Sequence, residues 1–414
     1  MYQKTHYILS LFICLIPLSM VAGAAVMEFF IVLSCLIFFF LNYKKQGLDY
    51  YKNFFFIIFL TFNFYLILSS LLSENILNSL RSTLFYFRFG ILVLIIWYLL
   101  DNFVKFKLLF FYSLQITLLI IILSSIVDFF LVYDHLKVDR LSGLFGKEKV
   151  QGSYLLRITP LYILTYFYTK QLLNNGIHFI FYSILFLVFI LIILSAERSA
   201  IFLMFIGIFL AFIFLRTKIK RIFFYSLLSS LLIAMIFILN PAVKTRVIDS
   251  TFNSFFSSHD AYYKYTKDIN LFSQGHQDHF KSALLMFKKN YLIGVGVRNF
   301  RNECKKDLYK EVGIYGCTTH PHNTYLQILS ETGLIGFSFF IIFLSFIYIK
   351  AFKYLMNIYK NYEAINISRS VCFVIILVNF FPLTPTGSFF NNWLSTLYFM
   401  PIPFLLYELN NRKH

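Results

Sequence analysis

Apolar runs of about 17 to 25 residues recur along nearly the whole of this 414-residue chain, and each is long enough to cross a bilayer as a helix. Composition agrees: 59% of residues are hydrophobic, 21% aromatic and only 14% charged, against roughly half apolar and one-quarter charged in soluble domains. A soluble core could not hide that much apolar surface. Spans are expected at about 7–22, 24–41, 54–72, 84–100, 107–127, 154–169, 178–194, 199–215, 222–240, 333–350, 369–382 and 391–408. The expected fold class is therefore all-α, a polytopic integral membrane protein of about twelve transmembrane helices. It divides into residues 1–240 with nine spans, a large polar loop at 241–332, and residues 333–414 with three more.

A net charge of +18 would suggest a nucleic-acid partner in a soluble protein. Here many cations sit in short links between apolar runs, where positive charge holds a link on the cytoplasmic side, so membrane lipid rather than nucleic acid is the expected partner. With the N-terminus inside, Lys44, Lys45, Lys52, Lys105, Lys107, Lys170, Arg216, Lys218, Lys220, Arg221, Lys350, Lys353, Arg412 and Lys413 all fall on the inner face. The first run has Lys4 before it and small residues Ala22–Ala25 after it, like a signal peptide; a second span follows at once, so it reads as a retained helix.

The same count places 128–153, the turn 195–198, the loop 241–332 and the turn 383–390 outside. Only the long loop is large enough to fold. Phe280–Phe287 is helix-compatible, and a glycine-rich turn follows at Gly294 and Gly296. Cys14, Cys35 and Cys372 lie in apolar runs as small buried hydrophobes. Cys304 and Cys317 lie in the loop, in an oxidising compartment if the topology holds, and are expected to form a disulfide.

The most informative string is His320-Pro321-His322-Asn323-Thr324-Tyr325-Leu326-Gln327, running through Glu331-Thr332-Gly333-Leu334-Ile335-Gly336 into a span. Thr324 followed by Gln327 fits a capping box, which predicts a helix starting there, with His322, Leu326 and Leu329 on one face. A histidine there would stand at the membrane surface, within reach of an amphiphilic substrate.

The string HNTYLQILSETGLIG resembles the signature of the O-antigen ligase and polymerase superfamily. The order of parts is similar too: Arg198 in the turn Ser195-Ala196-Glu197-Arg198-Ser199-Ala200, then Tyr291-Leu292-Ile293-Gly294-Val295-Gly296 within the loop. The likeness is best over about 180–350, and a weaker one lies in Arg140-Leu141-Ser142-Gly143 and Gly152-Ser153-Tyr154-Leu155. Where relatives carry arginine ahead of an amphipathic helix, this chain carries His276-Gln277-Asp278-His279.

The resemblance implies a GT-C-like membrane glycosyltransferase in a bacterial inner membrane, active at the periplasmic face. It would move a glycan from a polyprenyl diphosphate to an acceptor sugar hydroxyl without metal or other cofactor. Lipid A-core as acceptor would make it an O-antigen ligase; a lipid-linked glycan acceptor would make it an O-antigen polymerase. The leaving diphosphate gathers negative charge that a planar guanidinium can accept, which gives Arg198 its expected role. A neutral imidazole can take the proton of a weakly nucleophilic hydroxyl, which makes His322 the expected general base. Arg298, Arg301, His276 and His320 are the expected substrate-binding positions. His276, Asp278 and His279 could also be read as a metal site, but two histidines at that spacing favour substrate contact or loop structure instead. No Asp-x-Asp pair of the kind that holds metal on nucleotide-sugars is evident, in keeping with a lipid-linked donor. The rival classes are a flippase for lipid-linked glycans and a scaffold; the flippase is disfavoured because one late loop breaks any two-half symmetry.

Overall fold

The computed structural model describes residues 2–43, 48–131, 140–256, 272–310 and 312–410. The expected inner-face cations Lys44, Lys45, Arg412 and Lys413 lie outside the described residues. Helices account for the architecture, with no strand among the described residues. The first half contains α1 (Tyr2–Ala22), α2 (Ala24–Tyr43), α3 (Phe54–Leu71), α4 (Ile76–Thr83), α5 (Phe87–Asn102), α6 (Lys105–Leu131), α7 (Gln151–Thr169), α8 (Asn175–Leu194), α9 (Arg198–Phe214) and α10 (Ile219–Leu239). The loop supplies α11 (Pro241–Lys244), α12 (Ser250–Phe256), α13 (Gln274–Lys289), α14 (Phe300–Glu303) and α15 (Asp307–Lys310). The chain closes with α16 (Thr324–Lys360), α17 (Ile367–Asn379), α18 (Asn392–Phe399) and α19 (Ile402–Asn410).

Among the described residues eight helical stretches are long and apolar enough to cross a membrane: α1, α2, α3, the pair α4–α5, α6, α8, α10 and α16. The α9 and α17 helices are shorter apolar ones. Three expected spans differ in form. The α7 helix is more polar, carrying Gln151 and Arg157 on a buried face. The stretch 391–408 is two helices, because Pro401 cannot donate to the helical ladder and its ring clashes with the preceding turn. The α16 helix starts at Thr324, well before the expected 333, and Gly333 interrupts it at φ 65°.

Burial follows from the sequence of α5, which is hydrophobic all round: every residue from Phe89 to Leu100 is buried, so this helix forms the bundle's centre. The charge at its N-terminal end is neutralised by a two-pronged pair in which Arg88 Nε and Nη2 donate to Glu28 of α2, at 2.7 and 3.1 Å. The loop has a small core of its own, formed by Ala283 and Met286 of α13 with Val295, Phe300, Cys304 and Tyr309. Cys304 and Cys317 are bonded, their Cα atoms 5.0 Å apart, which ties the chain just ahead of His320 to this core.

Candidate functional site

The frame of the site is two glycine-rich strings locked backbone to backbone. Val295 N donates to Ser330 O (3.0 Å), Gly296 N to Glu331 O (2.9 Å) and Leu334 N to Tyr291 O (2.7 Å). A side chain could not fit at this contact. A Cβ on Gly333 would stand 2.3 Å from the Leu292 carbonyl oxygen, and one on Gly294 2.5 Å from the Glu331 carbonyl carbon. The buried Glu331 carboxylate then accepts from Arg298 N (2.9 Å), Phe300 N (3.4 Å) and Gln327 Nε2 (3.1 Å). Glu331 is thus a structural pin. The short α4 helix holds the other side of this turn, with Ser79 Oγ donating to Val297 O (2.8 Å) and Asn78 Nδ2 to Arg298 O (3.1 Å).

His322 is presented by a cap that differs from the expected capping box. Asn323, rather than Thr324, caps α16: its side chain accepts from Tyr325 N (3.0 Å) and Leu326 N (3.1 Å). Thr324 is already helical, and its hydroxyl bonds Thr386 (3.1 Å) and Tyr398 (3.0 Å). Gln327 reaches sideways, donating to Ser388 Oγ (2.9 Å) and accepting from Phe389 N (2.8 Å). Asparagine wins because its extended backbone leaves the carbonyl oxygen aimed at the first free amides, while His322 takes φ 55° outside the helix. His322 therefore shares no helix face with Leu326 and Leu329. The turn before α18 clamps the motif, with Thr386 N donating to His322 O (2.8 Å) and Asn323 Nδ2 to Pro382 O (2.8 Å).

Four imidazoles meet here. The His320, His279 and His276 rings lie 4.1, 5.2 and 5.6 Å from that of His322, centre to centre. Burial pushes all four pKa values down, and mutual repulsion adds to it for three: His276 and His279 to about 4 and His320 to about 3, with His322 also below its usual value. The cluster is neutral at pH 7. His276 Nδ1 bonds Ser273 Oγ (2.7 Å) and His320 Nδ1 bonds Thr319 Oγ1 (2.9 Å), whereas His279 Nδ1 and His320 Nε2 are buried without a hydrogen-bond partner among the described residues. Asp278 is turned away from the cluster: it is buried, lies against Gly313 and accepts from Tyr315 N (3.4 Å). Among the described residues no three histidine, cysteine or acidic side chains are arranged to hold a metal ion.

The cations come from three directions. Arg198 opens α9 and is half-buried; among the described residues its guanidinium has no hydrogen bond and no ion pair, and it lies in electrostatic range of His276 and Arg246. Its turn is fixed by the neighbouring Glu197, whose carboxylate accepts from Gly152 N (2.7 Å) and Ser153 Oγ (2.8 Å) and pairs with Arg140 (3.7 Å). The two segments of weaker family likeness thus brace the Arg198 turn. Arg301 acts electrostatically on His320. Arg298 is one step removed, its Nη1 donating to Ser82 Oγ of α4 (3.2 Å).

Sequence reasoning gave three contributors no role in the site. Arg246, just after α11, approaches Arg198. The turn at 383–390 carries the clamp on His322. Arg157 of α7 is buried, donates to Ser153 O (3.0 Å), and lies 5.9 Å from the ring of Tyr398, whose hydroxyl meets Thr324. Its signal was legible, since an ionisable residue inside a span is a functional marker.

Fold and site together define a polytopic helical membrane protein whose half-buried imidazoles and unpaired guanidinium gather where one loop meets the helix ends. Residues 183–341 match the family model described as O-antigen ligase, which supports a place for this chain in the O-antigen ligase-like superfamily. The matched stretch holds Arg198, the histidine cluster and the interlocked glycine strings. The likeness supports a ligase- or polymerase-type function in general terms. None of the curated proteins matches the chain.

Proposed function

We propose that this protein is a metal-independent glycosyltransferase, working at the periplasmic face of the inner membrane. It moves a glycan from a polyprenyl diphosphate onto lipid A-core, as an O-antigen ligase does. The observation that carries the reading is the bare Arg198 guanidinium at the N-terminus of α9, set beside a half-buried cluster of neutral imidazoles. A cation at a helix N-terminus is opposed by the helix dipole, and a diphosphate placed there would relieve both.

In this reading the acceptor hydroxyl attacks the anomeric carbon while His322 takes its proton. The bond from that carbon to the diphosphate oxygen breaks, and the electron pair leaves with the diphosphate. Arg198 accepts the charge that develops, with Arg301 behind it and Arg298 farther out. Burial keeps His322 unprotonated and ready to act as base. His276 and His320 line the acceptor side and hold its hydroxyls. Because cationic side chains offset the leaving-group charge, EDTA should leave the rate unchanged.

Reconstitution in liposomes with a polyprenyl diphosphate-linked glycan, offered lipid A-core or a second lipid-linked glycan, tests the reading. Product on lipid A-core alone is expected. Product on the lipid-linked acceptor alone would make the protein a polymerase, and no transfer to either, with transbilayer movement of the donor, would make it a flippase. Loss of activity in EDTA restored by zinc or magnesium would overturn the metal-free mechanism.

A further inference from the structure

The far end of α9 carries a second polar feature, on the membrane side opposite the histidine cluster and about 25 Å from it at helical rise. A cleft of about 320 Å³ opens there between α9, α10 and α16. Its wall is apolar, formed by Phe209, Phe212 and Ile213 of α9 and Ile222 of α10. Arg216, Thr217 and Tyr359 complete it. Arg216 takes φ 46°, donates through Nη1 to Ile358 O (2.9 Å), and lies 5.0 and 5.2 Å from the rings of Tyr359 and Tyr362.

The chain then loads positive charge where a helix tolerates it least. Lys218 stands at the N-cap of α10 and Lys220 and Arg221 in its first turn, all exposed, and no side chain caps that end. Cations at a helix N-terminus oppose the dipole, and among the described residues none of these three or Arg216 pairs with a carboxylate. The arrangement lacks only an anion. The α10 helix buries Ile236 alone and leaves Phe223, Phe224 and Leu227 exposed, so the cleft has an apolar flank open to the bilayer.

We propose that this cleft binds an anionic phospholipid. Its phosphate is held by Arg216, Thr217 and the basic first turn of α10, and an acyl chain lies along Phe209, Phe212 and Ile213. A phospholipid fits better than a soluble anion because the charged mouth continues into an apolar wall rather than into a closed polar pocket. The site is separate from the histidine cluster and stands whether or not the transfer reading holds.

Native mass spectrometry of the purified full-length protein, titrated with phosphatidylglycerol, phosphatidylcholine of the same chains, and inorganic phosphate, tests it. Phosphatidylglycerol should bind tightly and phosphatidylcholine weakly. The triple variant Lys218→Gln, Lys220→Gln, Arg221→Gln should weaken phosphatidylglycerol by about fivefold per charge removed. Its positions are exposed, so it keeps the fold even if Arg216→Gln, which also loses the bond to Ile358, does not. Ile213→Trp, which fills the cleft, should displace the lipid with the charges intact. Equal binding of the two lipids would overturn the proposal, as would an unchanged triple variant. So would full competition by inorganic phosphate, or a lipid-free dimer joined through α10.

Discussion

The two ends of α9 carry arginines of opposite character. Arg198, at the N-terminus, has no hydrogen bond or ion pair among the described residues and sits beside four imidazoles on a rigid frame. Arg216, just past the C-terminus, is satisfied by a carbonyl and two tyrosine rings. The dipole favours a cation at the second place and opposes it at the first. The comparison separates a cation held bare against the helix dipole, with every donor open to an anionic ligand, from one that is already bonded and stacked and can meet an anion only through its remaining donors. Read as sequence, the two arginines simply bracket a single apolar run, 199–215.

The sharpest way to break this contrast is at the histidine end. His322→Ala should lower glycan transfer by about 10²–10⁴, the usual contribution of a positioned general base, with protein level and donor binding nearly intact. Full activity in that variant would remove the mechanism. Arg198→Lys keeps the charge but loses the planar fork, and should lower transfer by about 10²–10³ in the same liposome assay. Near-normal rates would show that the planar guanidinium of Arg198 makes no contact that transfer needs.

Smaller effects test the frame. Replacing Cys304 and Cys317 together by serine opens a cross-link spanning 13 residues and should lower stability by about 3 kcal/mol, read as an earlier thermal transition. Gly333→Ala places a Cβ against the Leu292 carbonyl at φ 65° and should destabilise by about 1–3 kcal/mol. Impaired transfer in protein that still folds would show that the interlock positions His322.

The mildest test is acid. The four histidines have folded pKa values below the usual 6.5, so the unfolded chain binds protons first as the pH drops. Their contribution to stability is complete above about pH 6.5 and is lost as pH falls toward about 4. Transfer should therefore persist to lower pH than it would with a base of ordinary pKa, because burial holds His322 below its usual value. A clear fall with midpoint near 6.5 would mean that His322 is solvated rather than buried.

Much of this protein was legible in its sequence, for physical reasons that can be named. Run length and hydropathy depend on composition within a window, so spans such as α1, α6 and α8 could be read directly. Proline chemistry was equally local, yet Pro401 was passed over because the run around it is so apolar. The string from His322 to Gly336 pointed to a candidate site, but its cap was misassigned. Threonine and asparagine both serve as caps, and only the clamp from Thr386 settles where the chain turns.

What the sequence determined by itself was the all-helical, membrane-spanning character of the chain, the loop that could fold, and the residue types available to a candidate site. Tertiary structure decided which of those residues meet. His276 and His279 reach His322 because α13 packs on the start of α16. Arg198 is aimed by Glu197 across to Gly152 and Ser153. Arg157 is drawn beneath the site by contacts far along the chain. Such encounters depend on backbone bonds between distant segments, as where Gly294 and Gly333 let two turns touch, and no local window of sequence contains both partners.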